Sequence, residues 1–335
     1  MAGSPVRSIR RSLTAAAALG RVFLLRRRVP LFVSWNVTFR CNLHCKYCGA
    51  CDAPKTEMDS AGICRGLDDL WALGARWITF GGGEPLLRED IGALVDHAKA
   101  LGFEVFISTN GWFVKRRADV VRRADHVNLS LDGGREAHDA VRGPGAFDKT
   151  VEGAAYCLSQ GVPVSLQCTL SALNLDSVGE VLAVAKSLGV YVMFHPATAW
   201  LDSSRKPNPI APEPEAYRQA VDRVAAAKRA GAPVANSLEG LKHLRHWPDT
   251  TPIWCGAGRI MAVVEPDGRL FACHQCEFDG APPEDGPVPS LLDQFTALSP
   301  LKGCGQCWCG PVVDLAMIFS MKPRALSAAV RRIFE

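Results

Sequence analysis

The 335-residue chain lacks any long hydrophobic run and any internal repeat. No stretch approaches the roughly 18 uninterrupted apolar residues that a bilayer-spanning helix needs, so the sequence excludes a transmembrane helix. Its only low-complexity tract is a run of alanines at 15–18. A composition of 48% hydrophobic and 21% charged residues is typical of a soluble globular protein with a substantial core. The length allows a full α/β domain with a smaller appendage.

Acidic residues are absent from residues 1–30, which carry seven arginines and form the only strong charge block. Arg10 and Arg11 followed by alanines resemble a twin-arginine export signal. The apolar stretch is short, however, Arg21 interrupts it, and no small-residue cleavage site follows. We therefore interpret the segment as a basic amphipathic helix, which is either a solvated surface helix or a peripheral contact with an anionic membrane surface.

The thirteen cysteines do not form the pattern of a disulfide framework. Three lie at 41, 45 and 48, and six more lie between 255 and 309. Tight clusters of cysteine in a large α/β chain favour metal or iron–sulfur binding in a reducing compartment. We therefore expect a cytoplasmic protein.

Short apolar strands alternate with helical stretches from residue 31 onward. Two of the helical patterns, Ile91–Leu101 and Val178–Leu188, are each followed by glycine, a common helix stop. This alternation predicts a parallel sheet and an α/β fold, a partial (β/α)6 TIM-like barrel. Parallel barrels place their chemistry at the carboxyl ends of the strands. The six predicted strands are Leu31–Val37, Arg76–Phe80, Glu104–Ser108, His126–Leu131, Val162–Leu170 and Val190–His195.

The first predicted strand is followed by Cys41-Asn-Leu-His-Cys45-Lys-Tyr-Cys48, a C-x3-C-x2-C spacing. A [4Fe–4S] cluster normally takes four cysteines. A loop with three would leave one iron free to bind another molecule, which is a reactive site. Zinc is the alternative, because Cys51 could supply a fourth thiolate for a tetrahedral structural site.

Three further motifs follow predicted strands: Gly-Gly-Glu at 82–84, Thr-Asn-Gly at 109–111 and Ser-Leu-Asp-Gly at 130–133. His138-Asp139 and Arg142-Gly143 come after the last of them. Such residues are ordinary turn formers, and each motif alone would be explained that way. In their order, spacing and placement after strands, together with the cysteine loop, residues 31–200 resemble the radical S-adenosylmethionine (SAM) superfamily.

That resemblance implies an oxidoreductase or maturase in which Cys41, Cys45 and Cys48 hold a [4Fe–4S] cluster that binds SAM. An electron donor such as flavodoxin or ferredoxin would reduce the cluster, and SAM would yield a 5′-deoxyadenosyl radical that abstracts hydrogen from an unactivated carbon. The Gly-Gly-Glu motif would hold the amino group of SAM, Ser130 and Arg142 would contact its ribose and carboxylate, and Tyr47 would pack near its adenine. No acid–base catalytic residue is implied. The expected cofactor-binding residues are Tyr47, Gly82, Gly83, Glu84, Asn110, Ser130, Asp132 and Arg142.

The second cysteine region begins with Cys255, followed after twelve residues by Gly268 and after four more by Cys273. Ile260–Ala272 predicts a hairpin around Glu-Pro-Asp-Gly. With Cys304-Gly-Gln-Cys307-Trp-Cys309, the region resembles the SPASM or shorter twitch extension of the same superfamily. The resemblance implies one auxiliary [4Fe–4S] cluster, with structural zinc as the alternative and with Cys276 and Cys309 as alternative ligands or free thiols. The expected ligands are Cys255, Cys273, Cys304 and Cys307.

The substrate hypotheses follow from the family and from the two basic ends of the chain. The first is oxidative modification of a peptide, protein or small natural product. The alternative is a lipid or isoprenoid at the membrane surface, suggested by basic amphipathic patterns at both termini. A non-catalytic zinc or nucleic-acid-binding protein leaves the strand-end motifs unexplained, so no nucleic-acid partner is expected. The predicted divisions are a basic segment (1–30), the radical SAM barrel (31–202), a proline-rich linker and helix (203–250), the auxiliary domain (251–312) and a basic C-terminal helix (313–335).

Overall fold

The architecture is a curved, mainly parallel sheet of eight strands with helices packed on its outer face. The structure, a computed structural model, describes residues 27–49, 56–201, 206–274, 288–299 and 305–320. The strand order in the sheet is β6-β5-β4-β3-β2-β1-β7-β8. The strands are β1 (Phe32–Thr38), β2 (Trp77–Gly82), β3 (Glu104–Thr109), β4 (His126–Ser130), β5 (Val164–Leu170), β6 (Tyr191–Pro196), β7 (Met261–Val264) and β8 (Leu270–Phe271).

Helices connect the successive parallel strands. Within the described residues, the longest is α7, with 16 residues, in the segment between the barrel and the second cysteine region. The helices are α1 (Ser60–Leu73), α2 (Ile91–Leu101), α3 (Ala118–Val121), α4 (Arg135–Arg142), α5 (Ala146–Ser159), α6 (Val178–Leu188), α7 (Pro214–Arg229), α8 (Leu238–Leu244), α9 (Leu291–Ala297) and α10 (Gly310–Phe319).

The six predicted strands are confirmed as β1–β6, and the partial, unclosed barrel is confirmed with them. The predicted bounds of α2 and α6 match the observed ones because glycine ends each helix in the left-handed conformation, Gly102 at φ 111° and Gly189 at φ 68°. The predicted hairpin is confirmed as the antiparallel pair β7–β8.

Alternation along the strands separates an apolar outer face from a polar inner face. In β1, the buried Val33, Trp35 and Val37 pack in the core formed with the helices. The residues between them are less buried and lie on the concave face, as in β5, where Ser165, Gln167 and Thr169 alternate with core residues. Hydroxyl and amide side chains therefore line the barrel interior along the middle of these strands.

The C-terminal hairpin continues the sheet of the barrel. Strand β7 pairs with β1 in parallel, with Phe32 opposite Met261 and Trp35 opposite Val264. The turn after β7 also contacts the inner face of β1, because Asn36 Nδ2 donates to Glu265 Oε1 at 2.7 Å. Strand β1 is therefore an internal strand, paired on both sides.

Several sequence predictions fall on residues outside the described part of the chain. These are the basic N-terminal helix before residue 27, the C-terminal helix after residue 320, and the residues Cys51, Cys276 and Cys304. Among the described residues, no helix has the length and apolar character needed to cross a membrane.

Candidate functional site

The cysteine loop starts where β1 ends, and polar contacts fix its beginning. Glu57 Oε1 accepts hydrogen bonds from Thr38 Oγ1 at 2.7 Å and from the Phe39 backbone N–H at 2.8 Å. Farther along, the Lys46 backbone N–H donates to the Val141 carbonyl at 3.0 Å, which joins the loop to α4. The loop is thus held at the mouth of the barrel.

The Gly-Gly-Glu motif passes directly beneath the start of this loop. A Cβ atom on Gly82, where φ is 115°, would lie 2.5 Å from the Thr38 carbonyl oxygen, and one on Gly83 would lie 2.2 Å from that of Arg40. The backbone N–H groups of Gly83 and Glu84 donate to these two carbonyls, each at 2.8 Å. The glycines are required because the backbones of the motif and of the loop are in contact.

The Glu84 carboxylate is fully buried and already engaged by the protein. Oε1 accepts from the Leu86 N–H at 3.1 Å and from Thr109 Oγ1 at 2.8 Å, and Oε2 accepts from the Asn110 N–H at 2.9 Å. Burial raises the pKa of Glu84 to about 7, against these hydrogen bonds. The carboxylate joins the ends of β2 and β3 in this structure, and its predicted contact with the amino group of SAM stays a prediction.

Two of the three loop thiols receive N–H donors from the barrel mouth. The Leu43 backbone N–H and Asn110 Nδ2 lie 3.5 Å and 3.8 Å from Cys41 Sγ, and Arg142 Nη1 lies 3.9 Å from Cys45 Sγ. Burial raises the pKa of Cys45 to about 11, and the Arg142 charge opposes that rise. Donors and a cation directed at sulfur suit cysteines that ligate an iron–sulfur cluster, whose sulfurs accept such bonds. The residues present therefore fit a cluster, and Cys48 is exposed at the end of the set.

Asp132, Arg142 and Tyr47 form a buried polar network beside the loop. Asp132 Oδ2 accepts from Arg142 Nε at 2.5 Å and from the Tyr47 hydroxyl at 2.9 Å. Arg142 Nη2 also donates to the Tyr47 hydroxyl. The Arg142 charge holds the pKa of Asp132 below its ordinary value against its burial, and Asp132 in turn raises the pKa of Arg142. The sequence predicted these three residues for the site, but not that they bind one another.

Other residues that the sequence did not assign to the site support this network. Asp132 Oδ1 accepts from the Thr169 N–H at 2.8 Å, and His138 Nδ1 accepts from the Asp132 N–H at 2.9 Å. Asn174 Nδ2 donates to the carbonyls of Asp132 and Thr169, at 2.5 Å and 2.7 Å. The available signal was their position, His138 and Asn174 after strands β4 and β5 and Thr169 at the end of β5. Their pairing depends on the strand register, which local sequence patterns do not encode.

A second histidine stands at the end of β6. His195 Nε2 lies 3.1 Å from Thr169 Oγ1, and His195 Nδ1 is buried with no hydrogen-bond partner among the described residues. Burial lowers the pKa of His195 to about 4, as it does for His138. Both imidazoles are therefore neutral near pH 7. Ser130, predicted to contact the ribose, lies half-buried at the end of β4 on the concave face.

The described end of the second cysteine region leads into α10 and contacts α8. Cys309 precedes α10 with an exposed side chain, and the neighbouring Cys273 thiol acts to raise the pKa of Cys309. His243 Nε2 lies 3.0 Å from the Cys307 carbonyl oxygen, and the His243 ring stacks on Trp308. Across the described ranges of the chain, no three or more His, Cys, Asp or Glu side chains converge closely enough to hold a single metal ion.

Comparison with known sequences connects this site to a family. Residues 35–195 match the Radical SAM superfamily. The mycofactocin maturase MftC of Mycolicibacterium smegmatis is 29% identical over 271 residues, which cover 73% of this chain and 64% of that protein. The pre-heme d1 synthase of Dinoroseobacter shibae is 35% identical over 165 residues, which cover 47% of this chain and 41% of that protein. The chain thus spans less than two thirds of either relative.

Solved structures show the same fold at lower sequence identity. The crystal structure of Streptococcus suis SuiB has a TM-score of 0.66 and 14% identity, covering 84% of this chain and 69% of SuiB. The anSMEcpe structure with bound AdoMet has a TM-score of 0.60 and 20% identity, covering 73% of this chain and 74% of that one. Because the sequence match runs from β1 through the cysteine loop to β6, residues 35–195 are a domain of the Radical SAM superfamily.

Proposed function

We propose that the protein reductively cleaves SAM at a [4Fe–4S] cluster held by Cys41, Cys45 and Cys48, and uses the product radical in an oxidative modification of a peptide, protein or small natural product. The observation that carries the proposal is that Cys41 and Cys45 each have a side-chain N–H donor of the barrel mouth within 4 Å of sulfur, Asn110 at 3.8 Å and Arg142 at 3.9 Å. That environment suits thiolates that bind iron.

When bound, the cluster supplies the single electron that breaks the sulfonium C–S bond of SAM. A low-potential donor of the flavodoxin or ferredoxin class provides that electron. That chemistry would release methionine and would end in 5′-deoxyadenosine, with one hydrogen atom taken from a substrate carbon. An oxidised product requires a second one-electron step, for which an auxiliary [4Fe–4S] cluster at the second cysteine region would be the acceptor.

The protein's own residues would orient SAM and the substrate and exclude quenching groups. The network of Tyr47, Asp132 and Arg142 braces the cysteine loop against β4, so that a ligand at the loop meets a fixed surface. Ser130 lies beside it on the concave face, as a candidate contact for the ribose. Hydroxyl and amide groups of the concave face supply neutral hydrogen-bonding positions for the substrate.

The relatives guide the choice of substrate class. MftC is named a maturase, and the second relative is named for the synthesis of pre-heme d1. These names favour a peptide, protein or natural product over the lipid alternative. The proposal also includes peripheral contact with the membrane, an electron donor of the flavodoxin or ferredoxin class, and Cys255, Cys273, Cys304 and Cys307 as the auxiliary ligands.

The test is anaerobic reconstitution with iron and sulfide, followed by measurement of 5′-deoxyadenosine formed from SAM under dithionite. Wild type is compared with Cys41→Ala/Cys45→Ala/Cys48→Ala and with Cys64→Ala, a matched control on α1. We expect wild type and the control to cleave SAM. We expect the triple variant to lose cleavage but retain about four irons, one cluster's complement. Zinc binding without SAM cleavage by wild type would refute the proposal.

A further inference from the structure

Three hydrogen bonds from other parts of the protein fix the position of Asn110. They leave its side-chain amide nitrogen directed at the cysteine loop. Its backbone N–H donates to Glu84 Oε2 at 2.9 Å, and its carbonyl accepts from Thr150 Oγ1 at 2.9 Å. Its side-chain Oδ1 accepts from the Trp112 N–H at 2.9 Å. Because an N–H group donates to Oδ1, the amide orientation is fixed and Nδ2 is the donor on the other side.

The Nδ2 group lies between two acceptors of the cysteine loop. It donates to Asn42 Oδ1 at 2.9 Å and lies 3.8 Å from Cys41 Sγ. Asn110 is 7% exposed, so water competes little for this contact. The residue thus reaches from the end of β3 to the sulfur of the first loop cysteine.

We infer that Asn110 is a positioning residue that sets the reduction potential of the cluster, by donating an N–H···S hydrogen bond to the Cys41 thiolate, with Glu84 holding it in place. This rests on the proposed function, since it requires a cluster at Cys41. Hydrogen bonds to the sulfurs are one determinant of cluster potential. They stabilise the more negative, reduced state more than the oxidised one, so the bond raises the potential.

The sequence pattern assigned Asn110 to the SAM-binding set, whereas its side-chain amide nitrogen contacts the cysteine loop. The two roles make different predictions. A SAM ligand would change the affinity for SAM and leave the potential of the SAM-free cluster unaltered. A donor to sulfur changes that potential before SAM is added.

The experiment is an EPR-monitored redox titration of the reconstituted protein without SAM, following the [4Fe–4S] signal that changes when SAM is later added. The variants are Asn110→Ala, which removes the donor, and Asn110→Asp, which replaces it with a negative charge and keeps an acceptor for Trp112. Asn236→Ala is the matched control, because this amide is also buried but bonds to the Phe194 backbone on β6.

We expect the potential to become more negative from wild type to Asn110→Ala to Asn110→Asp, with the control unchanged. At a fixed ambient potential, the ratio of reduced to oxidised cluster should fall about threefold to tenfold in Asn110→Ala. That fold-change equals about 0.7–1.4 kcal/mol, which is the net contribution of a typical hydrogen bond. A wild-type potential in both variants would overturn the inference and leave the proposed function intact.

If the Asn110 variants fail to bind iron, a variant of Asn42 tests the hydrogen bond from Asn110 to the Cys41 sulfur. Asn42→Ala removes the competing acceptor, so Nδ2 is left with the Cys41 sulfur and the potential should become more positive. An unchanged or more negative potential in Asn42→Ala would overturn the inference. If wild type itself has no SAM-responsive cluster, the proposed function fails first and the inference fails with it.

Discussion

The Tyr47 hydroxyl donates a 2.9 Å hydrogen bond to Asp132 Oδ2, which joins the cysteine loop to the end of β4. Arg142 completes the triangle by contacting both residues and the Cys45 sulfur. The loop that would hold the cluster is therefore attached to the barrel through the Arg142–Asp132 ion pair, and the Asp132 side chain is fully buried. A change in that ion pair should affect both folding and cofactor retention.

Asp132→Asn should be strongly destabilising, because it leaves the Arg142 guanidinium in a buried position without its counter-charge. We expect a loss of about 3–5 kcal/mol in the free energy of unfolding, measured by urea denaturation. The matched control is Asp148→Asn, which breaks the exposed ion pair with Arg135 and should leave the free energy of unfolding almost unchanged, because solvent screens that pair. Equal losses in the two variants would contradict a buried structural pair.

The pH dependence of stability should change in His138→Asn. Burial lowers the pKa of His138 to about 4, whereas an unfolded histidine titrates near 6.5. The unfolded chain therefore binds the extra proton between these values, and wild-type stability rises with pH across that window. Asparagine can accept the Asp132 N–H but does not titrate. We expect wild type to gain about 1.4 kcal/mol per pH unit relative to the variant from about pH 4 to 6.5. If the stability of wild type and of His138→Asn changed equally with pH, the lowered pKa of His138 would be contradicted.

Glu84→Gln should show the opposite pH dependence. Burial raises the pKa of Glu84 to about 7, so the folded chain binds more protons than the unfolded chain between about pH 4.5 and 7. Wild-type stability from this group is therefore complete below that window and falls as pH rises through it. Relative to Glu84→Gln, wild type should lose about 1.4 kcal/mol per pH unit there. A constant difference would mean that the hydrogen bonds from Leu86, Thr109 and Asn110 keep the carboxylate ionised.

Gly83→Ala should impair assembly of the site. Its Cβ would lie 2.2 Å from the Arg40 carbonyl oxygen, so the cysteine loop must shift. We expect a clear fall in iron content after reconstitution. Gly179→Ala is the control, because its Cβ would meet no atom within 4 Å in helix α6. That variant should bind iron as wild type does and gain up to about 1 kcal/mol of stability. Normal iron content in Gly83→Ala would show that the loop adjusts freely.

The sequence predicted most of the barrel because its determinants are local. In α2 and α6, apolar periodicity ends at a glycine that takes the left-handed conformation, so pattern and structure coincide. The six strands were visible as short apolar segments between such helices. Their parallel order followed from the alternation itself.

The contacts of the candidate site could be predicted only in part. The resemblance of the motifs to the family predicted that Glu84, Asn110, Asp132 and Arg142 belong to one site. The sequence did not show that Glu84 binds the Asn110 backbone or that Arg142 binds Asp132, because these pairings depend on loop geometry across 26 and 10 residues. Glu57, which holds the start of the cysteine loop, lies in a polar stretch with no motif to mark it.

The pairing of β7 with β1 determines whether the barrel can be separated from the second cysteine region. A fragment restricted to the predicted barrel, residues 31–202, would lack the partner of β1 on one side, exposing backbone donors and acceptors of a strand that is internal in the full fold. Unpaired strand edges of this kind promote self-association. The barrel and the second cysteine region therefore are not independent modules. Replacing the second cysteine region with that of a relative would require the relative's β7 to match the register of Phe32–Trp35.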